Sequence, residues 1–299
     1  MMETKITREM MNQAGDHLVI ATGLSGFVRA VAVRSTETVR ELVRVHDLSP
    51  IATIAAGRLA AGTQLLASDL KNETDSISVS LKGDGPLGGM LMASDASTYV
   101  RGYVLEPHVT AEPSDQRSAV ANAVGEGNLT VVRGVGLKQP WSGTVDLVSG
   151  EIAEDLTYYL AVSEQIPSMM SLGVRLSERG VEAAGGLLIQ MMPGADEETV
   201  IYVEERATGF PSMSFLLEEG FTPAELIDLF LGDPDVRYLD SRPTGFRCTC
   251  SRDRMWRNLS TLGPSDLNEL IDDPRGIDLE CQFCNQTYHF TQEEMRKLR

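Results

Sequence analysis

The chain has 299 residues and carries 26 Lys and Arg against 43 Asp and Glu, a formal net charge of −17 at pH 7. Such a surface repels phosphate backbones and anionic lipid, which argues against a general nucleic-acid or membrane-surface binder. Hydrophobic residues at 42% and charged residues at 23% are ordinary globular proportions, so the chain is not wholly disordered, and its length points to about two domains.

In chain order, Leu18 to Ala21 and Phe27 to Val33 read as strands around a Gly-containing turn. Thr36 to His46 sets Val39, Leu42 and Val43 at helical spacing, with Arg40, Glu41 and Arg44 on the other side. Pro50 to Leu70, rich in Ala and Leu with Pro in its first turn, predicts a buried helix. Ile77, Val79 and Leu81 alternate with serines as a half-buried strand before the turn Gly83-Asp84-Gly85-Pro86. Strand-like runs return at Met90 to Met92, Tyr99 to Val104 and Leu129 to Val132, and Glu151 to Glu164 reads as a helix. Strands following one another through short turns favour an α+β fold over a doubly wound parallel sheet.

Residues 1–194 are thus expected to form a large α+β domain, followed over 195–246 by an acidic, helical connector. Its clearest helix opens at Thr222-Pro223-Ala224-Glu225, a capping box with Pro at the first helical position, and stops at Gly232-Asp233-Pro234. Few consecutive apolar residues lie between its caps, which predicts marginal stability rather than a third core. Residues 247–299 form a terminal module of formal charge −1, against −16 for everything before it. About fifty residues rarely bury enough apolar surface to fold without a staple.

Two compartment signals agree. The longest stretch free of Asp, Glu, Lys and Arg, Ala183 to Ala195, has thirteen residues, short of the roughly 20 needed to cross a bilayer. The first nine residues contain no apolar run of the signal-peptide kind. The expected location is the cytoplasm, with no membrane and no nucleic-acid partner.

All four cysteines lie in the terminal module, as Cys248-Thr249-Cys250 and Cys281-Gln282-Phe283-Cys284. Two tight pairs in a reducing compartment read as metal ligands or redox thiols, not as a disulfide scaffold. Four thiolates suit one tetrahedral Zn²⁺ per chain, with Cys248, Cys250, Cys281 and Cys284 as ligands and His289 as an alternative fourth donor. Arg247, Arg252, Arg254 and Arg257 crowd the first pair, either to offset the negative charge of a zinc tetrathiolate or as a solvated face. A disulfide sulfur cannot ligate zinc, so the cysteines form a candidate redox switch: reduced, metal-bound and folded, or oxidised, metal-free and unfolded.

At this point the sequence resembles the redox-regulated 33 kDa heat-shock holdase family (heat shock protein 33). The resemblance rests on Gly83 to Gly88, Val100-Arg101-Gly102-Tyr103, Ser163 to Pro167, Ala184 to Pro193, Phe246 to Arg252 and Glu280 to Cys284, in that order. It implies an ATP-independent chaperone that is not an enzyme and is dormant when reduced and zinc-bound. It further implies that oxidants such as peroxide or hypochlorous acid form Cys248–Cys250 and Cys281–Cys284 disulfides and release zinc. The connector would then unfold and the protein would bind unfolding client proteins, as a homodimer when oxidised and a monomer when reduced.

Other features point elsewhere and are weaker. The Gly83 to Gly89 run lacks the Gly-Lys-Ser/Thr ending of a phosphate loop and is expected to be a strand connection. No Gly-x-Ser-x-Gly elbow accompanies His108, so no catalytic residues are assigned. Met169-Met170 and Met191-Met192 read as core filling, with an adaptable client surface as the alternative. A zinc-ribbon nucleic-acid binder and a thiol oxidoreductase using Cys281 and Cys284 are the competing functional classes. Salt-dependent nucleic-acid binding, or turnover in an insulin-reduction assay, would mark them.

Overall fold

The computed structural model describes residues 11, 13–134 and 140–298. The N-terminal run read for a signal peptide lies outside them. The chain divides into two compact units, Met1–Phe246 and Arg247–Arg299.

The first unit opens with β1 (His17–Gly23) and β2 (Val28–Arg34), joined through a 3₁₀ turn at Leu24–Gly26. Then follow α1 (Thr36–His46), α2 (Pro50–Ala67), β3 (Ser76–Gly83), β4 (Gly89–Asp95), β5 (Val100–Val104), α3 (Ala119–Val124), β6 (Gly127–Gly134) and β7 (Trp141–Asp146). After α4 (Ala153–Val162) come β8 (Ser168–Ser177) and β9 (Gly180–Met191), a long hairpin. The last stretch of the unit supplies α5 (Glu197–Gly209), α6 (Met213–Glu218), α7 (Pro223–Leu231) and β10 (Arg237–Pro243). The strands make two five-stranded antiparallel sheets, in the orders β10-β1-β2-β9-β8 and β5-β4-β3-β6-β7. The fold is α+β, as the sequence pattern requires.

Helix α2 shows why. It packs against strands of both sheets and is buried almost continuously from Ala52 to Ala67. A helix buried on all sides must be apolar all round, and small residues let the flanking elements close in. A Cβ at Gly62 would meet Leu156 Cδ1 at 2.5 Å, and one at Gly57 would meet Val174 Cγ2 at 2.7 Å. Helix α1 is the opposite case. Val39 and Leu42 are buried, while Arg40–Glu37 and Arg44–Glu41 pair on its outer side at 2.7 Å each.

Alternation along β1 and β2 divides the core between the faces of the first sheet. Leu18, Ile20, Val31 and Val33 join α2 and the second sheet in one cluster; Val19, Ala21, Ala30 and Ala32 join a second cluster on the other face. Residues 195–246 complete that second cluster through Val203, Met213, Leu216, Leu217, Leu226, Ile227, Phe230 and Leu231. The segment therefore has no core of its own; its helices borrow the sheet face. The capping box of α7 forms as its sequence indicates, with the Thr222 N–H donating to Glu225 Oε2 at 2.8 Å and Gly232 ending the helix at φ 57°.

Strand β10 lies at the sheet edge, antiparallel to β1, with His17 opposite Pro243 and Thr22 opposite Arg237. Proline fits there because the Thr244 N–H donates to Asp16 O at 3.1 Å, so by alternation the nitrogen of Pro243 faces away from β1. Just beyond, Thr244 accepts from the buried Gln64 Nε2 at 2.8 Å and donates to Thr98 O at 2.5 Å, and Gln64 Oε1 accepts from Ser35 at 2.6 Å. The Val100 N–H donates to Gly245 O at 2.8 Å. These bonds tie the end of the 195–246 segment to α2 and to both sheets.

The Gly83 to Gly89 run is a strand connection. Its backbone lies against the end of α3, where a Cβ at Gly83 would sit 1.9 Å from Val124 O, and Asp84 Oδ1 accepts the Glu126 N–H at 2.7 Å. The glycines serve this close approach.

Candidate metal centre

The second unit holds α8 (Arg252–Leu259), α9 (Pro264–Ile271), the hairpin β11 (Ile277–Glu280) and β12 (Thr287–Phe290), and the short α10 (Gln292–Met295). Caps start two of its helices: Ser251 accepts the Arg254 N–H at 3.2 Å, and Thr291 and Glu294 form a reciprocal box. Its described hydrophobic core is small: Leu259, Leu267, Ile271, Phe290 and Met295 are the buried members. A core of that size leaves the unit short of stabilisation.

The hairpin turn builds half of the site. The Cys281 N–H donates to Gln286 O at 3.0 Å, and the Cys281 carbonyl accepts from Cys284 N at 3.1 Å and Asn285 N at 2.7 Å. Asn285 takes the left-handed conformation at φ 56°, which Asn tolerates better than most residues. This turn directs Cys281 and Cys284 to one side. The other half is the extended Cys248-Thr249-Cys250 arm leading into Ser251 and α8. In each arm a backbone N–H two residues on supports a sulfur: Cys250 N–H bonds to Cys248, and Gln286 N–H to Cys284.

All four sulfurs lie within 4.8 Å of one another, the one cluster of potential metal ligands among the described residues. Cys248 and Cys281 are 3.7 Å apart, and Cys250 and Cys284 are 3.4 Å apart, each contact crossing between the arms. Four sulfurs bound tetrahedrally at about 2.3 Å would be spaced by about 3.8 Å, whereas a disulfide needs about 2.05 Å. The donor set and spacing fit a single tetrahedral thiophilic metal. Cys281 is buried and the other three are half-buried, so the site is sheltered but reachable.

The thiols themselves show what a metal would change. Burial pushes the Cys248 thiol up, and burial likewise raises Cys284 to about 11. Burial also opposes ionisation of Cys250, but hydrogen bonds from Tyr288 and the neighbouring thiols outweigh it and lower its pKa. The group thus favours one anionic sulfur surrounded by donors. Holding four thiolates together requires a cation.

The place of Tyr288 beside the sulfurs is what motif reading passes over. Its hydroxyl lies 3.2 Å from Cys250 Sγ, and that bond pushes its own pKa up to about 12. A signal was available, because Tyr288 and Phe290 share one face of β12 and Phe290 is buried. His289, on the opposite face, pairs with Asp278 at 2.8 Å and stands outside the sulfur cluster. Two of the four arginines have partners other than the sulfurs. Arg252 contacts Glu294 at 2.9 Å and stacks over the Phe290 ring at 4.3 Å, while Arg254 donates to Thr249 at 2.9 Å. Of the paired methionines, Met170 is core and Met192 is 38% exposed. His17 is buried with its ring nitrogens at Gly15 O and Met11 O.

Among the described residues no helix is long and apolar enough to cross a membrane. Residues 16–291 match the family model described as "Hsp33 protein". A "33 kDa chaperonin" of Ruminiclostridium cellulolyticum is 44% identical over 286 residues, covering 95% of this chain and 98% of the relative. One from Enterococcus faecalis is 42% identical over 290 residues, covering 95% and 96%. The crystal structure of the 33 kDa chaperonin (heat shock protein 33 homolog) of Thermotoga maritima superposes with a TM-score of 0.86 at 34% identity, covering 95% of this chain and 98% of the other. With the match running through both units and the cysteine arms included, this chain belongs to the Hsp33 family.

Proposed function

We propose that this protein is a redox-gated, ATP-independent holdase chaperone of the cytoplasm, without enzymatic activity, that keeps unfolding proteins from aggregating. The observation that carries the gating is the cross-arm arrangement of Cys248, Cys250, Cys281 and Cys284 around one point, in a unit with so small a core. Zinc, when bound there, ties two chain segments thirty residues apart and supplies folding free energy that the core lacks, on the order of 10–16 kcal/mol for structural sites of this kind.

Oxidation undoes that tie through its connectivity. Cys248 with Cys250, and Cys281 with Cys284, each become a disulfide as the sulfur pair gives up two electrons. Peroxide accepts them, with two protons from solvent, and leaves as water. Each new bond lies within one arm, so nothing then holds the arms together, and the sulfurs no longer ligate metal. The unit unfolds. Residues 195–246, which have no core of their own and run directly into the unfolded unit, open in turn. The reduced form is a resting monomer, and the opened form holds clients and dimerises.

The test is light scattering from a heat-unfolded client, with this protein either reduced and zinc-loaded or oxidised by peroxide at mild heat. Suppression by the oxidised form alone is expected. Equal failure of both forms would reject the holdase reading, and equal suppression would reject the redox gate.

A further inference from the structure

Resting on the proposed opening of residues 195–246, we infer that β1 is the acceptor for clients: its outer edge, vacated by β10, takes up extended segments of unfolding protein by antiparallel strand addition.

Strand β1 is apolar on both faces, with Leu18, Val19 and Ala21 fully buried and Ile20 nearly so. Only β10 separates its outer edge from being a sheet edge. An uncovered apolar edge is a template for pairing with any extended chain, which proteins ordinarily blunt or cover. Here the cover is removable, because β10 belongs to the 195–246 segment, with only Thr244, Gly245 and Phe246 between it and the redox unit.

The present occupant defines the chemistry of the next one. Of the seven residues of β10, only Ser241 is buried, and Leu239 is 55% exposed. Its side chains are anchored at the ends, Tyr238 to Asp228 at 2.6 Å and Arg242 to Ala96 O at 3.2 Å and Ser68 O at 3.3 Å. In its middle Leu239 points to solvent and Asp240 pairs within the strand, with Arg242 at 3.3 Å. The edge therefore accepts main chain almost irrespective of sequence, which is what a binder of many unfolded proteins needs. The register also names the receptor groups. Because Asp16 O faces β10, the N–H and C=O groups of Leu18 and Ile20 face it too. Leaving with β10, α7 also uncovers the face carrying Val19 and Ala21, where alternate apolar side chains of an added strand can rest.

The experiment uses the full chain and two short peptides alternating Val and Lys, one unmodified and one N-methylated at alternate residues. The second keeps side chains and charge but loses the ladder bonds on one edge. Hydrogen exchange is followed at Leu18 and Ile20, with binding read by fluorescence anisotropy. On oxidation these amides are expected to lose protection, and the unmodified peptide to restore it; the N-methylated peptide should bind at least about tenfold more weakly. Equal binding of both peptides overturns the inference. So does continued protection of Leu18 and Ile20 in an oxidised chain that still suppresses aggregation, a result that leaves the holdase reading intact. Protection that returns with chain concentration and no peptide assigns the edge to a second copy, and also overturns it. Failure of the oxidised chain to suppress aggregation rejects the holdase reading itself, and the inference with it.

Discussion

Four sulfurs brought within 4.8 Å by two arms make each cysteine indispensable, since a tetrahedral site with three thiolates is a different and weaker site. Cys281→Ser is expected to abolish stoichiometric zinc and to unfold residues 247–299, checked by metal analysis and by loss of hydrogen-exchange protection at Phe290. Tyr288 acts through Cys250, donating to its sulfur at 3.2 Å. Removing such a donor commonly costs about 10–100-fold in metal affinity without displacing a ligand. Tyr288→Phe should therefore stay folded, bind zinc about tenfold more weakly in a chelator competition, and react faster with peroxide. An unchanged zinc affinity would reduce Tyr288 to packing. That the four cysteines gather at one point was legible from their spacing as two tight pairs. For Tyr288 alternation gave only the face it shares with Phe290; its bond to Cys250 depends on how the two arms fold together, which spacing does not show.

Elements differ in how plainly they announce themselves. Helices α1, α2 and α7 follow from periodicity and caps, and all three form, α2 ending at Ala67, three residues short of the expected Leu70. Strands β9 and β10 do not advertise their state. Ala183 to Gly186 has poor strand propensity, yet a Cβ at Gly185 would lie 2.3 Å from Val33 O, so the sheet needs glycine there. Strand β10 carries Arg, Asp and Pro, tolerable only at an edge. Its retention depends on Thr244, which shares hydrogen bonds with Gln64 and Thr98 inside the unit. Thr244→Val leaves the buried Gln64 amide without that partner, a loss of about 1–3 kcal/mol. The variant is expected to fold, to exchange the amides of β10 faster when reduced, and to hold clients at lower oxidant doses. Unchanged exchange would show that the latch carries no weight.

For the whole molecule, the two units differ in what stabilises them. Residues 1–246 bury two large clusters sharing one sheet, whereas among the described residues of 247–299 the hydrophobic cluster buries five side chains beside a half-buried set of sulfurs. Stripping metal from the reduced chain with a chelator should melt the second unit while amides of α2 remain fully protected, as hydrogen exchange resolved by region would record. Loss of protection in α2 would mean that the units unfold together. The central claim is that opening of the sulfur cluster and client holding are one event. The most direct measurement follows zinc release with a chromogenic chelator and aggregation suppression in the same samples across a peroxide series. The account predicts that the two curves rise together and that both reverse on reduction with zinc present. Full client holding with zinc still bound, or complete release and disulfide formation with no holding, would contradict it.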